Sequence, residues 1–219
     1  MPLRLAIFDC DGTLIDSQHA IVAAMASAFE AVSLPVPVRE TCLSVVGLSL
    51  PQAMAQLLPD APDELHHDLS EHYKRAFRAL RSGGTLHEPL YDGIADLLDG
   101  LEADGWLLAI ATGKSDRGLQ FALEHHGLSG RFVSLQTADR HPSKPHPSMI
   151  EMALSDAGVA RENAVMIGDT SFDMLMASAA NVRGLGVGWG YHDAATLLEA
   201  GAQSVALDSA QLARHIALA

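Results

Sequence analysis

Cysteine is nearly absent from this chain. Cys10 and Cys42 are the only two in 219 residues, too few for a disulfide framework, and neither sits in a CxxC pair that would suggest a metal or redox site. A reducing compartment is expected. Basic charge is also scarce, with 14 Lys and Arg against 27 Asp and Glu and a formal net charge of −13. Nucleic acid and membrane surfaces are therefore not expected as partners, because both repel an acidic protein. Long apolar runs are missing too. None reaches the ~18 uninterrupted residues of a spanning helix, and the nearest is the alanine-rich stretch 20–29. The apolar stretch 3–8 is cut off by Asp9 and Asp11, so it lacks the long apolar region and cleavage site of a secretion signal. The expected location is the cytoplasm. What the chain does have is 48% hydrophobic and 19% charged residues, the balance of a soluble globular protein, at a length that allows one domain with an insertion or two small ones.

Short apolar runs alternate with longer segments of helical period, which predicts an α/β fold with a doubly wound parallel sheet. The runs are residues 3–8, 106–111, 132–136, 164–167 and 185–187, with a weaker sixth at 204–207. Helices between them carry their own punctuation: Ser115 before and Gly127 after the helix containing Leu119 and Leu123, Pro147 at a first turn, Gly158 after Ala157, and Gly201 after Leu198. Residues 16–88 break the alternation. They hold helical periodicity at 17–32, after Pro51 and at 63–80, and no convincing strand, so they are expected to be a small helical domain inserted into a core of residues 1–15 and 89–219. Two chain crossings would join the parts and permit hinge motion.

Polar groups follow four of the strands. Asp9-Cys10-Asp11-Gly12-Thr13 comes directly after the first, Thr112-Gly113 after the second, Lys144-Pro145 in the loop after the third, and Gly168-Asp169 after the fourth with Asp173 four residues on. A D-x-D-G-T match arises by chance in about 10⁻³ of chains this long, so it is not a composition accident. In an open α/β sheet the ligand crevice lies beyond the carboxyl ends of the strands, where all four sites fall.

In these motifs and their order the chain resembles the haloacid dehalogenase superfamily of hydrolases. The likeness is to phosphatases with a helical cap, in the branch of phosphoglycolate phosphatase and β-phosphoglucomutase. The resemblance spans essentially the whole chain and implies a Rossmann-like core with residues 16–88 as the cap. It also implies a phosphatase acting on a small phosphorylated metabolite. Four aspartates against one lysine make a cleft too negative for a phosphate dianion, and a divalent cation with oxygen ligands resolves this, so Mg²⁺ is the expected cofactor.

Roles follow from the chemistry and the resemblance together. Asp9 would attack phosphorus and carry the phosphoryl group, and Asp11 would give a proton to the leaving alkoxide and take one from water. The metal would be held by Asp9, Asp11 through its backbone carbonyl, Asp169 and Asp173. Gly12 would admit close backbone approach, Thr112 and Gly113 would hold phosphate oxygens, Lys144 would neutralise charge, and Ser49 in the cap could touch the leaving group.

Other residues are read as structural. Lys114 is expected to be solvated; Lys74, Arg78 and Arg81 share a helix face that could meet a substrate carboxylate, but they too are read as a solvated face. The histidines, including His125, His126, His141 and His146, show no metal-ligand spacing and are expected at the surface or in caps. A phosphosugar mutase would share every core motif, but the histidine expected in its cap is replaced by Ile21. A 2-haloacid dehalogenase would lack Asp11, a phosphonatase would depart from D-x-D, and a phospho-aspartate signalling module would be shorter with its aspartate on the third strand. The chain is expected to be a monomer or dimer.

Overall fold

Parallel strands buried on both faces read as near-continuous apolar runs, and the six runs become six parallel strands. In the computed structural model, which describes residues 2–84 and 86–217, they are β1 (Arg4–Phe8), β2 (Trp106–Thr112), β3 (Ser134–Thr137), β4 (Ala164–Gly168), β5 (Arg183–Val187) and β6 (Ser204–Ala206). The expected domain ranges also include residues 1, 85, 218 and 219, which lie outside the described residues. The sheet order is β3-β2-β1-β4-β5-β6. The chain winds outward from β1 to one edge, then returns and winds to the other. The order therefore reverses at β1, where Phe8 pairs with Ile110 of β2 on one side and Ile167 of β4 on the other. A doubly wound sheet opens its ligand crevice at such a switch point.

The two-residue strand period sorts the core. Ala6 and Phe8 face one way and pack with Ile94, Leu98 and Leu101 of α5 (Ile94–Ala103), Leu119 and Leu123 of α6 (Asp116–His125), and Leu212 and Ile216 of α10 (Ser209–Ala217). Leu5 and Ile7 face the other way, onto Met149, Ile150 and Ala153 of α7 (Ser148–Ala157) and Met176 and Ala177 of α8 (Ser171–Ala179). Beyond these, α9 (Ala194–Glu199) covers β5 and β6, with Leu197 packed against Met174. Caps act where expected: the Ser115 hydroxyl accepts the Gly118 N–H at 3.2 Å, and Gly158 ends α7 in the left-handed conformation. Asn181 closes α8 with φ 54, a conformation that asparagine tolerates better than most residues.

Between β1 and α5 lie α1 (Gln18–Ala31), α2 (Arg39–Leu43), α3 (Leu50–Leu57) and α4 (Asp63–Ser82). They enclose an apolar cluster of their own, made of Met25, Ala28, Phe29, Cys42, Met54 and Leu69. The two crossings into this unit are paired with each other. Asp16 N–H donates to Pro89 C=O at 2.8 Å and Tyr91 N–H to Leu14 C=O at 3.0 Å, with Ile15 bridged to Leu90. Entry and exit are thereby held side by side at the mouth of the crevice.

Leu98 is fully buried in the main core, whereas Leu207 is 70% exposed. Leu98→Ala is expected to lower unfolding free energy by about 2–5 kcal/mol, and Leu207→Ala by less than about 0.5 kcal/mol, read from urea denaturation midpoints. Equal shifts would contradict this assignment of the core.

Candidate active site

The chain leaves β1 through a tight turn in which Leu14 and Ile15 N–H both donate to Cys10 C=O and Gly12 N–H donates to Ile15 C=O. Gly12 has φ +81, and a Cβ there would stand 2.2 Å from Asp169 Oδ2. The turn therefore requires glycine both for its backbone angle and for the closeness of the carboxylate. This geometry brings the loop after β1 against the loop after β4.

Asp9, Asp169 and Asp173 converge there with 1%, 0% and 0% exposure. Each offers one carboxylate oxygen, and the three oxygens lie within 4.8 Å of one another. Lys144, fully buried, reaches into the group from the loop before α7, with Nζ 2.6 Å from Asp173 Oδ1 and 3.0 Å from Asp9 Oδ1. Backbone and hydroxyl donors fix the rest. Asp9 Oδ1 also accepts the Cys10 N–H at 2.6 Å. Asp169 accepts from the Thr13 hydroxyl at 2.8 Å and the Tyr191 N–H at 2.9 Å, and Asp173 Oδ2 from the Thr170 hydroxyl at 2.7 Å and N–H at 3.0 Å. Asp173 thus helps cap α8 while one of its oxygens faces Lys144.

One atom is left over. Asp9 Oδ2 is buried with no hydrogen-bond partner among the described residues. Burial raises the Asp9 carboxyl to about 7, against the pull of Lys144 and helped by Asp173 and Asp11. Burial likewise pushes Asp169 well above the usual carboxylate range, with Asp173 and Asp9 adding to the rise. Burial opposes the charge on Lys144, but Asp173 and Asp9 hold its pKa above the ordinary lysine value. Three buried carboxylates sharing one ammonium, with one oxygen unused, form a pocket that fits a hard cation: every donor is oxygen, and no nitrogen or sulfur competes.

The Asp11 side chain lies outside that trio. Its Oδ1 accepts a short hydrogen bond from the Ser17 hydroxyl and pairs with Lys114 Nζ at 2.7 Å. Lys114 also lies 3.7 Å from Glu88, at the exit crossing. The expectation of a solvated Lys114 is therefore corrected: its side chain is only 11% exposed. Burial opposes its charge, yet Asp11 and Glu88 hold its pKa above the ordinary value. No short-range signal marks this pairing, because Asp11, Glu88 and Lys114 meet only when the two crossings and the loop after β2 close together.

Asp9, Asp11, Thr112, Gly113 and Lys114 line one cavity of about 400 Å³ under the helices of 16–88. A Cβ at Gly113 would stand 2.6 Å from Leu48 C=O, so the turn at 47–48 lies against the loop after β2. Ser49 sits just beyond this turn at the start of α3, where its N–H donates to the Ser143 hydroxyl at 2.9 Å; Gly47, Leu48 and Leu50 line the cavity and Ser49 does not. Lys74, Arg78 and Arg81 do line it, although the sequence alone read them as a solvated face. Tyr191, which orders Asp169, was not singled out either; the neighbouring Gly190 was the only sign, since a Cβ there would stand 2.2 Å from Asp169 Cβ.

Comparison with known proteins agrees with this geometry. The sequence pattern of the haloacid dehalogenase-like hydrolases matches residues 6–187. The chain is 36% identical over 193 residues to the probable phosphatase IndB of Dickeya dadantii, covering 86% of this chain and 82% of that one. It is 28% identical over 197 residues to the phosphoglycolate phosphatase of Vibrio parahaemolyticus, covering 87% and 86%. A solved hydrolase from Pseudomonas syringae superposes with a TM-score of 0.87 at 27% identity, covering 98% of both chains. The chain belongs to the haloacid dehalogenase-like hydrolases. Among the described residues, no helix is long and apolar enough to cross a membrane.

Lys144→Met removes the shared ammonium and leaves Asp9 and Asp173 uncompensated. Unfolding free energy of chelator-treated protein is expected to fall by about 3–5 kcal/mol at pH 8. A carboxyl whose folded pKa is raised contributes stability that is present below its unfolded value of 3.8 and lost as pH rises through the folded one. The deficit should therefore shrink as pH is lowered from 8 to 5. Urea titrations at both pH values check this, and a deficit unchanged by pH would contradict it.

Proposed function

We propose that this haloacid dehalogenase-like hydrolase is a Mg²⁺-dependent phosphatase of a small phosphate monoester, of phosphoglycolate or sugar-phosphate type, with Asp9 carrying the phosphoryl group. The observation that supports this most is the free Asp9 Oδ2, a buried carboxylate oxygen without a partner at the floor of a cavity large enough for a small ester. Asp9, Asp169 and Asp173, with the Asp11 backbone carbonyl, would hold Mg²⁺, which when bound supplies the positive charge that lets a dianionic ester enter an acidic pocket.

The chain's own residues do the rest. Asp9 forms a bond to phosphorus as the ester oxygen leaves, and Asp11, parted from Lys114 and protonated when the cycle begins, gives that oxygen its proton. Asp11 then takes a proton from the water that attacks the aspartyl phosphate, which releases phosphate and restores Asp9. Lys144 favours the ionised, nucleophilic form of Asp9, since its ammonium opposes part of the rise that burial imposes. The Thr112 hydroxyl and Gly113 N–H, which line the cavity beside Asp9, would hold the spreading charge on phosphate oxygens. Lys114 and Ser17 hold Asp11 in position until substrate arrives.

Residues 16–88 act as a cap that closes the cleft from water, with Ser49 near its contact turn. Phosphosugar mutase activity is disfavoured by Ile21, which presents an apolar side chain to the cavity where mutase caps are expected to carry histidine.

Asp9→Asn is expected to lower kcat on phosphate monoesters by at least about 10³-fold while the melting temperature stays within a few degrees. A panel of phosphate esters assayed with and without Mg²⁺ reads the result. Hydrolysis by Asp9→Asn at the wild-type rate would remove this mechanism, and conversion of glucose 1-phosphate to the 6-phosphate faster than phosphate release would replace phosphatase by mutase.

A further inference from the structure

The cavity above Asp9 extends well past the phosphoryl machinery. A volume of about 400 Å³ lies in the range that accepts a drug-sized ligand, and a two-carbon leaving group would leave most of it to water. Part of its wall is apolar, with Met25, Val45, Leu50, Tyr73 and Phe77 supplied by the cap.

The charged lining residues divide into paired and unpaired. Asp9 is paired with Lys144, Asp11 with Lys114, and Glu71 with Lys74 at 2.8 Å. Asp139, the remaining acidic side chain of the lining, accepts the Asp116 N–H at 2.8 Å. Three guanidinium groups remain: Arg78 and Arg81 on α4, and Arg117 on α6. Among the described residues none of the three is within ion-pair distance of a carboxylate, in a chain whose formal charge is −13.

Two of these arginines come together where α4 faces α6. The Arg81 guanidinium carbon stands 3.8 Å from the centroid of the Phe121 ring, so α4 reaches across to α6, and Phe121 lies one turn on from Arg117 on that helix. The Arg81 Nε is buried and has no hydrogen-bond partner among the described residues. Burial lowers its pKa; Glu88 offsets part of this, and Arg117 nearby lowers it further. Arg117 itself occupies the first turn of α6, where the helix dipole is positive. An orphaned buried donor and two like charges lining one cavity, one of them at the positive end of a helix, are relieved together by one anion between them.

We propose that Arg81 and Arg117, with Arg78 at the rim, form a second anion subsite. The substrate is then a phosphate monoester whose leaving group has an apolar span ending in a carboxylate or a second phosphate. This rests on the phosphatase reading above and narrows its substrate class. The apolar span packs on Tyr73 and Phe77, while the far anion bridges α4 and α6 and so favours the closed position of the cap.

The test uses the full-length protein with Mg²⁺ and a chain-length series of alkyl phosphates ending in methyl, carboxylate or phosphonate. At the best length, an anionic end is expected to raise kcat/KM roughly tenfold or more over the methyl end, chiefly by lowering KM. Arg81→Gln and Arg117→Gln should each reduce that ratio toward one, and Arg81→Lys should restore part of it; melting curves verify that the variants fold. Whichever of carboxylate and phosphonate gives the larger ratio identifies the far group. A ratio near one in the wild type, or an unchanged ratio in both glutamine variants, overturns the subsite while methyl-ended esters are still hydrolysed and the phosphatase reading stands. Hydrolysis of no ester at all removes that reading, and the subsite with it.

Discussion

Three buried carboxylates around one buried ammonium set the terms for everything else in this protein. Asp9, Asp169 and Asp173 are almost wholly removed from water, and Lys144 between Asp9 and Asp173 is the cation they share. Like charges at such range oppose one another strongly when water cannot screen them. Donor hydrogens from Cys10, Thr13, Thr170 and Tyr191 each take part of that strain, and each comes from a loop or helix start at the carboxyl ends of the strands. The sheet order places those ends together, so the fold serves to assemble a charge distribution that no single segment could hold.

Above this floor the helices of 16–88 meet the loops of the sheet through hydrogen bonds and close backbone approach, while their apolar cluster is separate from those that flank the sheet. The turn at 47–48 lies on Gly113, Ser49 N–H reaches Ser143, and His126 bonds the backbone of Glu88 at 2.8 Å. The cap keeps its own apolar cluster around Met25, Phe29 and Leu69. An interface of this kind suits opening and closing, because separation exposes little apolar surface. Asp11 stands at the junction, tied to Ser17 at the cap entrance and, through Lys114, to Glu88 at its exit. In the proposed mechanism the residue that would handle the proton is thus tied to both crossings into the helical unit.

The core was legible because its signals are local. Most strands are centred on short apolar runs with turn residues beside them, β3 with its Ser134, Gln136 and Thr137 being the most polar, and the observed strands fall within about two residues of the expected runs. Ser115 and Gly158 mark helix ends by mechanisms that act over a few residues, and the aspartates of the site stand at strand ends that the pattern itself locates. What was not legible depends on distance along the chain. Lys114 reads as a solvated lysine until Asp11 and Glu88, far from it in sequence, are brought against it. Arg81 and Arg117 sit on different helices and line one cavity only once α4 lies over α6. Tyr191 orders Asp169 through a backbone N–H, which any residue but proline could supply.

The central claim is that the acidic trio is completed by a divalent cation, and melting of chelator-treated protein at pH 8 with increasing Mg²⁺ tests it without any substrate. Saturating Mg²⁺ is predicted to raise the melting temperature by about 5–8 °C at roughly a hundredfold excess over Kd, and Asp169→Asn is predicted to lose most of that rise. A melting temperature indifferent to Mg²⁺, or a full rise retained by Asp169→Asn, would contradict the account.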